Sequence, residues 1–103
     1  AIVDFGQAIA LKPELAEAYN NRGAAYARMR NDTRALADYT RAIELNPVYA
    51  TAYYNRGNIY FNLGRYAEAV SDHREALRLD PEHASTYYSL ARALEAAGHA
   101  SRA

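Results

Sequence analysis

Cysteine and tryptophan are absent from the 103-residue chain, and methionine occurs once. Without cysteine there is no disulfide framework and no thiolate metal site. Neither charge sign dominates: twelve basic residues balance twelve acidic ones, for a formal net charge of zero. A dedicated surface for nucleic acid or anionic membrane needs a basic excess, so neither partner is expected. No apolar run approaches the roughly 20 residues that span a bilayer, and no signal-peptide pattern opens the chain. The chain does not start with methionine, which predicts a processed or excised piece. What remains is 50% hydrophobic and includes ten tyrosines. That is enough for one compact unit with a modest core.

The three prolines, Pro13, Pro47 and Pro81, are spaced by 34 residues, and other residue types share the interval. Tyr19, Tyr53 and Tyr87 repeat with it, as do Ala8, Ala42 and Ala76, and Leu11, Leu45 and Leu79. Asp4, Asp38 and Asp72 follow, and Gly23 and Gly57 continue into the small Ala91. A fixed period of this size marks a solenoid, whose units bury their apolar faces only against neighbours.

Within each unit the periodicity is helical. Ala18, Tyr19, Arg22, Tyr26 and Met29 mark one face of a first helix; Ala35, Leu36, Tyr39, Ala42, Ile43 and Leu45 mark a second. Arg30-Asn31-Asp32 is a polar turn with a capping residue available. Gly64 and Gly98 stand at the equivalent turns, suited to a left-handed helix stop. Asn46-Pro47 and Asp80-Pro81 end the second helices, because the proline ring disfavours helix in the residue before it. The pattern predicts six helices, at about 2–12, 16–29, 33–45, 50–63, 67–79 and 84–97, with residues 100–103 beginning a seventh. No segment reads as a strand.

On these residues the chain resembles the tetratricopeptide repeat family. The stretches that carry the likeness are AYNNRGAAYARMRNDTRALADYTRAIELNP, AYYNRGNIYFNLGRYAEAVSDHREALRLDP and, in part, TYYSLARALEAAG. The resemblance implies an all-α, right-handed superhelical solenoid of antiparallel helix pairs forming one domain over residues 1–103. Residues 1–15 would be the second helix of a truncated repeat, 16–49 and 50–83 complete repeats, and 84–103 a truncated one. Arg22 and Arg56 stand where the family often has leucine, on a stripe expected to face inward. A buried unpaired charge is costly, so inter-repeat pairs Asp4–Arg22 and Asp38–Arg56 are expected. Asp72 lacks such a partner at Leu90, leaving Arg92 as the alternative.

The family lines a concave groove with the first helix of each pair and usually binds extended peptides there. By resemblance the groove residues are Asn20, Asn21, Arg28, Tyr54, Asn55, Asn58, Phe61, Asn62, Tyr88 and Arg92. Asparagine offers a donor and an acceptor to a peptide backbone, and large amphipathic rings are favoured contact residues. The lysine, asparagine and arginine clamp of chaperone-binding members would occupy Asn20, Ala24, Asn55, Ser85 and Ser89. Only Asn55 fits, so no clamp for a terminal carboxylate is expected. Asn21 and Asn55 resemble two rungs of the asparagine ladder in O-linked sugar transferases.

No catalytic constellation is evident. His73, His83 and His99 lack metal-ligand spacing. His73 falls where Phe5 and Tyr39 stand and is expected to be half-buried packing, with His83 and His99 solvated in turns. Ser71, Asp72 and His73 are consecutive on a helix and point apart, so they make no triad. Neither a cofactor nor an enzymatic activity is expected. The chain spans three periods plus one residue, so both ends present helices without their sequential partners. The first offers Ile2, Phe5 and Ile9; the last offers Tyr87, Leu90 and Leu94. Two functions follow: a scaffold binding a peptide or protein in its groove, or a self-assembly module associating head-to-tail through these ends. Neutral charge and absent cysteine are compatible with cytoplasm or periplasm.

Overall fold

The computed structural model describes residues 13–102, and among them all regular structure is helical. We number the helices α1 (Pro13–Arg28), α2 (Asp32–Leu45), α3 (Ala50–Asn62), α4 (Tyr66–Leu79) and α5 (Ala84–Arg102). The helix expected at 2–12 lies outside the described residues. Helix α1 packs on α2 and α3 on α4; α2 then meets α3, and α4 meets α5. The most extensive contacts are thus made by neighbours in sequence, with smaller ones from α1 to α3 and from α3 to α5, as a solenoid requires.

Local chemistry sets the boundaries. Asn31 caps α2, its side chain accepting from the Arg34 backbone N–H at 3.2 Å. The turns that close the two hairpins place their third residue in the left-handed region, Arg30 at φ 61° and Gly64 at φ 77°. Glycine adopts that conformation without steric cost, whereas Arg30 does not. After α2 and α4, the Asn46 and Asp80 side chains accept from the N–H groups of Val48 and Glu82, at 3.4 and 3.3 Å. The Tyr53 and Tyr87 hydroxyls donate to the carbonyls of Pro47 and Pro81, at 3.2 and 2.8 Å. A periodic tyrosine therefore ties each proline turn to the helix that follows it.

Gly98 departs from expectation. It lies inside α5, which runs unbroken to Arg102, so neither a stop at Gly98 nor a fresh helix at 100 is formed. His99 is likewise helical rather than in a turn. The alanines on either side of Gly98 are the strongest helix formers, and together they outweigh the roughly 1 kcal/mol that one glycine costs.

The core is built of small residues. Ala35, Tyr39 and Ile59 form one buried cluster, Ala42, Ile43 and Ala52 a second, and Ala69, Val70 and Ala93 a third. The expected stripe on α2 is the buried one. On α1 the buried line runs instead through Ala16, Asn20 and Gly23, while Met29 is 70% exposed. Close helix approach selects the smallest side chains, and these lie on a different face of α1 from the tyrosines. A Cβ added at Gly23 would sit 2.8 Å from the Tyr39 ring, and one at Gly57 2.7 Å from the His73 ring. Both glycines are therefore the crossing points that the sequence predicts.

Candidate functional site

The hairpin crossings also decide how the arginines pair. The crossing at Gly23 brings α1 within reach of Asp38, whose Cβ is 3.2 Å from a Cβ built on the glycine. Arg22, beside that glycine, donates to both Asp38 oxygens through Nε and Nη2, at 2.7 and 2.8 Å. Arg56, beside Gly57, grips Asp72 with the same two distances and adds a 3.4 Å bond to Thr40. The expected Asp38–Arg56 pairing between repeats is therefore incorrect. Arg22 grips Asp38, its expected partner Asp4 lying outside the described residues, and Asp72 is partnered by Arg56 rather than Arg92. The pairs lie within each hairpin because the two helices approach most closely there. Hydrogen bonding to the aspartates raises the pKa of both guanidiniums further above their already high range. The Asp38 and Asp72 side chains are buried; Arg56 is 18% exposed and Arg22 61%. These pairs are architecture.

With the hairpins locked, α3 and α5 face a shared cavity of about 610 Å³. Helix α3 contributes Tyr54, Asn58, Phe61 and Asn62, and α5 contributes Ser85, Tyr88, Ser89 and Arg92, with His73 of α4 beneath. Three aromatic rings, two amides, two hydroxyls and one guanidinium thus line one concavity. The Arg92 guanidinium carbon lies 4.8 Å from the Phe61 ring centroid and 5.8 Å from that of Tyr88. Phe61 is held in turn by Tyr66, edge-on at 5.2 Å. Tyr54 stands between two histidines, its ring centroid 5.6 Å from His73 and 4.9 Å from His83.

Six of the predicted groove residues converge here: Tyr54, Asn58, Phe61, Asn62, Tyr88 and Arg92. The asparagines of the first repeat do not. Asn20 is buried and accepts a 3.0 Å hydrogen bond from the Asn55 amide. It braces the stack, and Asn55, expected as a ladder rung with Asn21, is engaged with it. Asn21 and Arg28 are exposed and line none of this cavity. On α5, Tyr87 and Leu94 are exposed, whereas Leu90 turns inward against Ala69, Val70 and Ala93. Ile2, Phe5 and Ile9 lie outside the described residues.

The histidines were misjudged by the sequence. His73 is not half-buried but fully buried, and neither ring nitrogen has a hydrogen-bond partner. Burial lowers its pKa, opposed by the charge of Asp72, and holds it neutral. His83 does fall in the turn before α5, but it is half-buried rather than solvated, with Nδ1 2.6 Å from the Thr86 hydroxyl. The signal was present in the period, because His73, His83 and Tyr54 occupy the places of Tyr39, Tyr49 and Asn20 one repeat earlier. Among the described residues no group of three or more metal-binding side chains gathers, and no helix is long and apolar enough to cross a membrane.

The tetratricopeptide repeat pattern matches residues 50–83, and a second TPR repeat pattern matches 1–29 and 31–64. The chain belongs to the tetratricopeptide repeat family. Among solved structures it is similar to MamA, at 34% identity and a TM-score of 0.77 over 81% of this chain and 45% of that one. It thus spans about half the length of that relative. It is also similar to the first TPR of Spaghetti (RPAP3) bound to the HSP90 peptide SRMEEVD, at 31% identity and a TM-score of 0.77, covering 84% of this chain and 67% of that one. The Arabidopsis OM64 TPR domain superposes with a TM-score of 0.81 at 28% identity, over 84% of this chain and 72% of that domain. No curated protein matches the chain.

Proposed function

We propose that the chain is a non-catalytic interaction module that holds a peptide or protein segment in the groove between α3 and α5. The single observation that carries this reading is the cavity in which Tyr54, Asn58, Phe61, Asn62, Tyr88 and Arg92 meet. Its mixture of rings and amides suits an extended chain, with the amides available to backbone groups and the rings to side chains. The peptide-bound relative, the first TPR of Spaghetti, supports the class of ligand. Its particular ligand is not carried over. The five positions of a terminal-carboxylate clamp hold Asn20, Ala24, Asn55, Ser85 and Ser89 in this chain, and Asn20 and Asn55 are engaged with each other.

The test is selection of random peptides on the chain, followed by titration of a selected peptide into Asn58→Ala and Tyr88→Ala variants. Each substitution is expected to weaken binding about tenfold, as loss of a central aromatic or polar anchor does. Undiminished binding by both variants would remove the groove from the account. A second reading, head-to-tail association, is favoured by the exposed Tyr87 and Leu94 on α5. It predicts a mass that grows with concentration in light scattering and returns to monomer in Leu94→Glu. A constant monomer mass over a wide concentration range excludes it.

A further inference from the structure

Arg92 stands apart from the arginines that hold the fold. Arg22 and Arg56 grip aspartates, and Arg65 and Arg78 pair with glutamates one turn away on α4. Arg92 meets two rings, Phe61 and Tyr88, and among the described residues no other charged side chain lines the cavity it faces. Contact with two rings holds the Arg92 guanidinium against the groove wall without occupying its N–H groups with a carboxylate, so those groups remain available to an acidic partner. Asn58 and Asn62 on one wall and Ser89 on the other add donors that no side chain of the described residues occupies. Tyr88 is 68% exposed, so most of its surface is left uncovered beside Arg92.

We propose that this groove takes an internal acidic side chain, an Asp or Glu carboxylate seated on Arg92, with an apolar or aromatic residue beside it covering Tyr88. The inference rests on the groove-binding reading and narrows it to a ligand class. Charge complementarity selects the acid, because one cation among lining residues that are otherwise uncharged leaves a carboxylate as the partner that gains most. The exposed ring selects the apolar neighbour. A side-chain carboxylate is favoured over a terminal one because Arg92 stands alone among the lining residues as a cation. The two turns before it on α5 carry Ser85 and Ser89, which present hydroxyls rather than charges.

The experiment is a positional-scanning library of acetylated, amidated hexapeptides, whose blocked ends remove terminal charges, captured on the whole chain. Asp and Glu are expected to be enriched within two residues of an aromatic or branched aliphatic residue. Arg92→Gln should abolish the acid preference and keep the apolar one. For a selected peptide it should weaken binding about tenfold, the size expected of one charge-assisted bidentate contact. The same peptide with Gln in place of the acid should lose as much on the native chain and nothing more on Arg92→Gln. Arg92→Lys, which keeps the charge and loses the fork, should fall between. Arg92 is exposed, so these variants are expected to keep the native circular dichroism and melting temperature. Apolar peptides captured with no acid preference, or an acid preference that survives Arg92→Gln, would overturn the proposal and leave the groove reading standing. Binding only of peptides with a free C-terminus would overturn it as well. Capture of no peptide at all would sink both.

Discussion

Two interfaces of the stack share one backbone plan and fill it with opposite chemistry. In the first, Asn20 of α1 is buried between neighbours, bonded to Asn55 of α3, and its amide partly offsets the burial that raises the Tyr49 pKa. The large ring in the adjacent hairpin crossing is Tyr39. In the second, 34 residues on, a tyrosine replaces the asparagine and histidines replace both tyrosines. Tyr54 now lies between His73 and His83, its ring tilted at 50° and 53° to theirs, and Ser89 stands where Asn55 stood. The exchange conserves bulk but replaces a hydrogen-bonded amide rung by a cluster of tilted rings. It also leaves a polar atom pair, the His73 nitrogens, buried without partners. The helical register tolerates this because the glycine crossings and the arginine–aspartate forks are the same in both hairpins. The difference teaches that the forks and crossings carry the fold, while the positions around Tyr54 are released for another use. The cavity opens at the second interface.

The comparison is broken most severely at the forks. Asp72→Ala strands Arg56, which is largely buried, and should cost about 3 kcal/mol by urea unfolding. Asp38→Ala strands the more exposed Arg22 and should cost clearly less; equal losses would show that burial of the arginine does not matter. Gly57→Ala forces a methyl into the His73 ring and should cost about 2 kcal/mol, within the range for overpacking. Most of that loss should vanish when the substitution is made in a His73→Ala background, which a double-mutant cycle reads directly.

The two interfaces should also differ in acid. Burial sets the folded pKa of His73 below its ordinary value of 6.5, while the unfolded chain keeps that value. Below about pH 6.5 the unfolded state therefore binds a proton that the folded state refuses, and stability falls as pH drops until folded His73 itself protonates. Asp72 on the same helix works against the fall; Arg56 and Tyr54 of α3 and His83 beyond Tyr54 complete its surroundings. Urea midpoints at pH 7.5 and 5.5 should differ in the native chain and differ less in His73→Phe. An unchanged difference would assign the sensitivity to other groups. The smallest effect is at the turns. Arg30→Gly gives the first hairpin the residue that the second uses, and should raise stability by about 0.5 kcal/mol, left-handed strain relieved less the entropy of glycine.

The sequence made the fold legible because the period is a property of backbone geometry. A proline that ends a helix, or a glycine where helices cross, has one reason to recur, so Pro47, Pro81, Gly23 and Gly57 were assigned correctly. Side-chain partners were harder. Arg56 lies 18 residues after Asp38 and 16 before Asp72, and periodicity treats those choices alike; only the closeness of the helices at Gly57 separates them. Gly98 was misread because a turn residue inside an alanine-rich helix follows the helix. Of the candidate groove, the residues of α3 and α5 were placed together by resemblance, whereas Asn20 was assigned to the groove although it braces the stack. The contact between His73 and Tyr54 was legible only as paired departures from the preceding repeat, which a search for recurring positions passes over.

The central claim is that the surface between α3 and α5 is where a partner segment sits. Titration of a library-selected peptide into isotope-labelled chain, followed by amide and side-chain NMR, tests it most directly. The account predicts shifts concentrated on Tyr54, Asn58, Phe61, Ser89 and Arg92, with the forks at Asp38 and Asp72 undisturbed. Shifts centred on Tyr87 and Leu94, with the cavity silent, would contradict it.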